Sequence, residues 1–517
     1  MTRLLNRRIQ HKAAIKMFVI SAPIPELPNE MWLKIFNILS HGDLLQVNLV
    51  CKRWCQLTQA RELKRKSKLV VTKENLKDIC DLMENNDLKY ENVDINDKRD
   101  EFSNVGHASV LKIFEYFGCD IVRLKLYKPS MLSLLNHGLP KLQELDLSCM
   151  MSDKIVPVNF NKFSNLKSLL LPPRNSESYL ICQLSEHTFQ MPKIRLEKLS
   201  LSVNDCPLNC LNVLATHASS LRWLQLYVPK GMNLTVQGHF QEIFRKFTQL
   251  EELLIDGVGN MEYRRLILEY LPKENPLKTI ALSLTRDVDL VELIIQKWRN
   301  SLECLKLKYY HRAENTASQL NFMNCKLRSL EWYGGPLTPQ EFLDCVATKT
   351  NQTLTELKLF SLHVTGEFFD TLFQRLPNLA KLDLRGVRIT DEEMVYVFRH
   401  LTHLRHLSLD PCVSENGIEY LCSELHSVSN LKRLQTLQIC LCPIKALQIL
   451  NLNFKFKKLT KLVPQFCHRS GKLSVLTIVH ISTYFPVLEE LFVDRLNFDY
   501  ADIQEIRKHL PRLHKLS

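Results

Sequence analysis

The chain has 517 residues, 45% of them apolar and only 14 of them glycine, which excludes a largely disordered polypeptide and exceeds what one ordinary core accommodates. Its formal charge of +13 is uneven: the first 70 residues hold 13 Lys/Arg against 4 Asp/Glu, so the remainder is close to neutral and the charge alone makes no case for nucleic-acid binding. No run of 18 or more uninterrupted apolar residues is present, so no membrane-spanning helix is expected, and the sixteen cysteines lack the paired spacing of a zinc site or a secreted disulfide framework.

Residues 1–24 read as a basic, disordered tail carrying Arg3, Arg7, Arg8, Lys12 and Lys16. Residues 25–68 follow as a small helical unit. Seven of the nine residues from Met31 to Leu39 are apolar, so a helix here is apolar most of the way round, where a surface helix shows only a stripe. A unit of about 45 residues is too small to cover such a helix by itself, which points to docking against the rest of the chain or against another protein. The run from Arg61 to Lys68 reads as a solvated helix end, with a nuclear-import patch or a phosphate contact as the alternatives.

These residues resemble the F-box. The resemblance rests on Leu27-Pro28, Glu30 and the apolar residue after it, Ile35-Phe36, Leu39, Asp43-Leu44 and Val50-Cys51-Lys52 with Trp54. Leu63-Lys64 stands where many members have Leu-Trp. The resemblance implies docking to a Skp-type adaptor, and through it to a cullin scaffold, by way of Leu27, Pro28, Glu30, Met31, Trp32, Leu33, Ile35, Phe36, Leu39, Leu44, Val50, Cys51 and Trp54.

Residues 69–517 read as one solenoid, and from about residue 90 onward the chain repeats. A Leu-x-x-Leu-x-Leu unit recurs clearly from Leu142, Leu166, Leu196, Leu221, Leu250, Leu302, Leu354, Leu379 and Leu404. Looser copies begin at Tyr90, Ile121, Leu277, Leu327, Leu434, Leu459, Leu488 and Leu513, giving about 16–17 units with a mean period of about 26 residues. Alternation along a short strand sends the second and third leucine of each unit into the core and their neighbours outward. Thr338-Pro339-Gln340-Glu341 and Thr390-Asp391-Glu392-Glu393 are capping boxes that open the helices between strands. No single unit buries its own apolar face, so the units must stack. The expected fold is therefore α/β: a three-helix F-box, then a curved solenoid with parallel inner strands and outer helices. Pro464, at the third apolar position of its unit, fits poorly. A long array directly after an F-box resembles the F-box/leucine-rich-repeat class, whose members are substrate receptors of SCF-type ubiquitin ligases.

Repeat proteins bind partners on the outward strand face. Most residues there are small or charged. The exceptions are Arg123, Lys125 and Tyr127 on one strand, Trp223 and Tyr227 on another, and Lys306 and Lys308, Glu331 and Tyr333, Lys358 and Phe360, and Lys381 and Arg385 on four consecutive strands. Exposed aromatics and arginines are the residue types enriched at binding hot spots, and the last group suits an acidic or phosphorylated segment. No nucleophile elbow, phosphate loop or HExxH motif is present, and His400, His403 and His406 straddle a turn. The expectation is a non-catalytic receptor subunit without cofactor or metal, cytoplasmic or nuclear, that holds an unidentified protein target for ubiquitination. Two alternatives stay open: a non-degradative scaffold, and an unrelated leucine-rich inhibitor in which residues 27–54 are buried in the chain and the Trp32/Phe36 face is not exposed.

Overall fold

In a computed structural model of the chain, the described residues are 27–39, 44, 47, 50–58, 60, 63, 68–85, 90–96, 104–150, 160–172, 194–203, 207–228, 237–257, 261–284, 288–309, 321–322, 325–334, 337–361, 366–387, 389, 391–409, 430–440, 458–465, 479, 482, 485–491, 500–513 and 515–516. The basic tail, Lys64 and Thr390 lie outside them. Two compact units divide the chain, Met1–Phe247 and Thr248–Ser517. Among the described residues no helix is long and apolar enough to cross a membrane.

The first unit opens with helices α1 (Asn29–Phe36) and α2 (Lys52–Thr58). Strands and helices then alternate: β1 (Lys68–Val71), α3 (Leu76–Asn85), β2 (Asn92–Ile95), α4 (Asn104–Phe117), β3 (Arg123–Leu126), β4 (Glu144–Asp146), β5 (Ser168–Leu170), β6 (Lys198–Ser202), α5 (Pro207–His217), β7 (Trp223–Tyr227) and α6 (Gln237–Phe244). Strands β1 to β7 pair in sequence order, every pair parallel.

The second unit repeats this plan through β8 (Glu252–Asp256), α7 (Met261–Tyr270), β9 (Thr279–Leu284), α8 (Val288–Trp298), β10 (Cys304–Tyr309), β11 (Ser329–Tyr333), α9 (Pro339–Ala347), β12 (Glu356–Phe360), α10 (Gly366–Arg375), β13 (Lys381–Leu384), α11 (Asp391–His400), β14 (His406–Leu409), β15 (Thr436–Cys440), β16 (Lys461–Gln465), β17 (Glu490–Leu491), α12 (Tyr500–His509) and β18 (Lys515–Leu516). Strands β8 to β18 again pair parallel and in order. Each of the seventeen sequence repeats places a strand, β2 to β18, two residues after its first apolar residue. Strand β1 lies ahead of them. The fold class is the α/β stack of parallel strands and helices that the repeat predicts.

Register explains the stack. Leu305, Leu330, Leu357, Leu382, Leu407, Leu437 and Leu462 occupy one row across β10–β16, and each is buried. Leu307, Trp332, Leu359 and Leu384 form a second inward row two residues on. Burying each such side chain stabilises by about 1.5–3 kcal/mol. The backbone locks the spacing: the Thr355 carbonyl just before β12 accepts from both Ala380 and Lys381 at the start of β13, at 2.8 and 3.0 Å, and the same double bond recurs from Arg328, Ala380, Arg405 and Gln435. Helix α9 begins with the predicted capping box, Thr338 accepting from the Glu341 amide and Glu341 returning the bond, with Pro339 at the first helical position. Pro464 sits in β16 opposite Ile439 of β15, a strand position despite its missing N–H. Cys325 and Cys345 behave as small hydrophobes, their thiols pushed up by burial to about 11 and about 12, but Cys51, Cys55, Cys119 and Cys149 are exposed.

Candidate functional site

The first candidate surface is built on α1. Pro28 is its N-cap residue and has no side-chain cap; its carbonyl accepts from Met31 and Trp32 at 3.1 and 3.2 Å. Arg53 on α2 does not cap the helix but braces the segment that leads into it. Its guanidinium donates to the Asn29 side chain at 2.9 and 3.1 Å and to the Leu27 carbonyl at 2.9 Å, which ties the two helices at the Leu-Pro corner. Leu44 and Leu63 join Trp32 and Phe36 in a small buried core, with Leu27, Leu33, Leu39, Val47, Trp54 and Leu57 packed half-buried around it. Its centre is an aromatic triad. Trp54 lies 4.6 Å from Trp32 and 5.3 Å from Phe36, and Trp32 lies 5.7 Å from Phe36, ring centre to ring centre.

This corrects the expected exposure. Trp32 and Phe36 do not form the outer face; they are 8% and 1% exposed, closed off by the unit's own α2 and Leu63. The opposite side is open. Met31, Ile35 and Ile38, at i, i+4 and i+7, are 44%, 36% and 85% exposed, and Pro28, Glu30, Val50 and Cys51 are exposed as well. The unit is large enough to fill one side of its helix and too small to fill both. Met31, Ile35, Ile38, Val50 and Cys51 are therefore not buried in the chain, whereas the Trp32/Phe36 face, whose exposure would dispose of the unrelated-inhibitor alternative, is closed within the unit itself. Sequence reasoning missed two residues. Ile38 was passed over for Leu39, which turns inward, and Arg53 stood unremarked inside the Cys-Lys-Arg-Trp run.

The comparison with known families falls on the same residues. A family model described as F-box-like matches residues 24–69. Residues 24–69 are an F-box-like domain. No curated protein matches the chain. Among solved structures, the chain is similar to one in a crystal structure of the Rad7 and Elc1 complex in yeast, at 15% identity and a TM-score of 0.38, over 95% of this chain and 92% of that one. It is also similar to one in a crystal structure of a TLR13–ssRNA13 complex, at 15% identity and a TM-score of 0.36, over 83% of this chain and 67% of that one.

The second candidate surface is the outward strand face. In the first unit Trp223 and Tyr227 are half-buried on β7; the Lys198 ammonium lies 4.3 Å from the Trp223 ring centre, and Gln225 donates to the Tyr227 hydroxyl at 2.6 Å. On β1–β4 the outward cations pair across strands, Lys68 with Asp94, Arg123 with Glu144 at 3.0 Å and Lys125 with Asp146 at 2.8 Å, around a depression of about 430 Å³.

In the second unit the structure brings Lys306, Lys308, Tyr333, Lys358 and Phe360 onto three adjacent strands, with Arg385 in the turn just after β13, in two rows of different character. The lower row is Lys306, Glu331, Lys358 and Asp383. Glu331, nearly buried, accepts from Lys358 at 2.6 Å and lies 3.2 Å from the Lys306 ammonium through the same oxygen. Burial pushes the Glu331 carboxyl up, but the Lys358 bond and the two ammonium charges outweigh it and hold the group below its ordinary value. Both lysines are thus engaged with a carboxylate of the protein itself. The upper row is Lys308, Tyr333, Phe360 and Arg385. The Tyr333 and Phe360 rings stack face to face, 4.0 Å apart and within 3° of parallel, and the Arg385 guanidinium lies 5.8 Å from the Phe360 ring centre. Asp383 grips Arg385 through Nε at 2.9 Å and Nη2 at 2.7 Å, which raises the Arg385 pKa further. Trp223 and Tyr227 belong to the other unit.

Proposed function

We propose that this chain is the substrate-recognition subunit of an SCF-type ubiquitin ligase. In this reading Met31, Ile35, Ile38 and the Leu27-Pro28 corner dock a Skp-type adaptor, a cullin scaffold joins through that adaptor, and the outward strand face holds a protein target. The observation that carries the reading is the division of α1 into a side locked by Trp32, Phe36 and Trp54 and an apolar side left open, within an F-box-like domain. A helix fixed on one side and exposed on the other is preorganised, so little ordering cost falls on association. The chain contributes no bond chemistry. It raises the effective concentration of target lysines near a conjugating enzyme, and rate follows from proximity.

The test is affinity capture under proteasome inhibition, comparing the wild type with a double variant, Ile35→Asp with Ile38→Asp, that alters only the open side. Adaptor and cullin subunits should be lost from the variant while target proteins are retained, and the half-life of a retained target should lengthen. Adaptor capture equal to wild type would remove the ligase reading. Loss of the adaptor with no change in any target's lifetime would favour a non-degradative scaffold instead.

A further inference from the structure

We propose that Arg53 is a positioning residue for the docking surface: from α2 it holds the Leu27-Pro28 corner of α1 in the orientation that an adaptor meets. The inference rests on the receptor reading above and names what orients its docking corner.

The corner has little of its own to fix it. Pro28 has no backbone N–H to donate, stands extended at φ −54° and ψ 151°, and gives α1 no side-chain cap. Leu27 is only half-buried against the aromatic core. Arg53 supplies what is missing. Its Nε and Nη2 converge on Asn29 Oδ1 at 3.1 and 2.9 Å, and Nη2 also donates to the Leu27 carbonyl at 2.9 Å. One planar group thus grips both neighbours of Pro28. The ring of Pro28 already fixes its own φ, so the corner between the two gripped residues keeps little freedom.

The place of Arg53 on α2 gives the brace its reach. It is the second residue of that helix, and the exposed Val50 and Cys51 come just ahead of it. The exposed docking residues therefore come from two segments, Met31, Ile35 and Ile38 on α1 and Val50 and Cys51 before α2, and Arg53 joins the starts of both helices. Trp54, next in the chain, packs 4.6 Å from Trp32, ring centre to ring centre. The two helices are thus held from inside by the aromatic core and from outside by the guanidinium. A lysine carries one ammonium in place of the planar fork and cannot reproduce the grip. A surface fixed before contact loses less entropy on association.

The test titrates the full chain with a purified Skp-type adaptor in a calorimeter, comparing the wild type with Arg53→Gln, Asn29→Ala, the double variant, Arg53→Lys and Asn29→Asp. Arg53→Gln should weaken binding about tenfold or more, and Asn29→Ala by a smaller factor. The double variant should bind no more weakly than Arg53→Gln alone, because both changes remove one contact. Arg53→Lys, which keeps the charge without the fork, should recover only part of the loss, and Asn29→Asp, which keeps the acceptor and charges it, should lose less than Asn29→Ala. Hydrogen exchange gives the local readout. The Met31 and Trp32 amides, bonded to the Pro28 carbonyl, should exchange faster in Arg53→Gln, while the Asn37 amide, bonded to the Leu33 carbonyl further along α1, keeps its wild-type rate. Wild-type affinity in Arg53→Gln would overturn the proposal. So would losses that multiply in the double variant with exchange at Met31 and Trp32 unaltered, which would make Arg53 a direct adaptor contact. Faster exchange at Asn37 as well would overturn it too, and would make Arg53 a general support of the helix. If the wild type itself binds no adaptor, the receptor reading falls and takes the positioning role with it; if the wild type binds and Arg53→Gln equals it, the positioning role falls alone.

Discussion

Histidine 217 shows how one side chain sets a dependence on pH. It closes α5, almost wholly buried, with Nδ1 accepting from the Leu196 amide at 3.4 Å and no hydrogen-bond partner at Nε2 among the described residues. Burial disfavours the imidazolium and lowers the pKa from 6.5 to about 4. The folded chain therefore keeps His217 neutral through a range in which the unfolded chain protonates it. Stability from this group is complete above pH 6.5, declines as the pH falls from 6.5 toward 4 and levels off below that, with a full amplitude of about 3 kcal/mol. His217→Leu should flatten the melting temperature between pH 7 and pH 5 relative to wild type. A wild-type profile level across that interval would contradict the assignment. Nothing in the sequence around His217 announces this role, because burial of a helix-terminal histidine depends on which strand lies beneath it.

At the level of elements, what the sequence makes legible is periodicity. All seventeen repeat starts, including the loose ones at Tyr90 and Ile121, locate a strand, because the Leu-x-Leu alternation is forced by two buried rows. Strand β1 was not legible. Lys68-Leu69-Val70-Val71 lacks the leucine spacing and follows directly on a basic run. Faces were harder than positions. An α1 apolar nearly all round carries no mark of which side its own neighbours fill, so the Trp32/Phe36 face was assigned outward when Trp54 and Leu63 cover it. Likewise, Glu331 was legible on the outward face beside the lysines, but its pairing with Lys306 and Lys358 follows from strand register, which composition does not reveal. The rows give a direct check on register. Leu382→Ala removes a fully buried side chain and should cost about 2–5 kcal/mol, whereas Lys381→Ala loses only an exposed ion pair with Glu356 and should cost less than about 1 kcal/mol. Equally mild melts for the two variants would mean the register is wrong.

At the scale of the whole molecule, the proposed docking and recognition surfaces fall on different stretches of the chain: the F-box-like domain occupies residues 24–69, and the mixed aromatic and cationic row belongs to the second unit. The central claim is that the open side of α1, not its aromatic core, makes the adaptor contact. It is tested most directly by titrating the full chain with a purified Skp-type adaptor in a calorimeter, alongside the Ile35→Asp, Ile38→Asp variant and a thermal melt of both. The account predicts that the wild type binds, that the variant's affinity falls by a factor of about one hundred or more, and that the two melts coincide. Undiminished binding by a variant that melts like the wild type would contradict it.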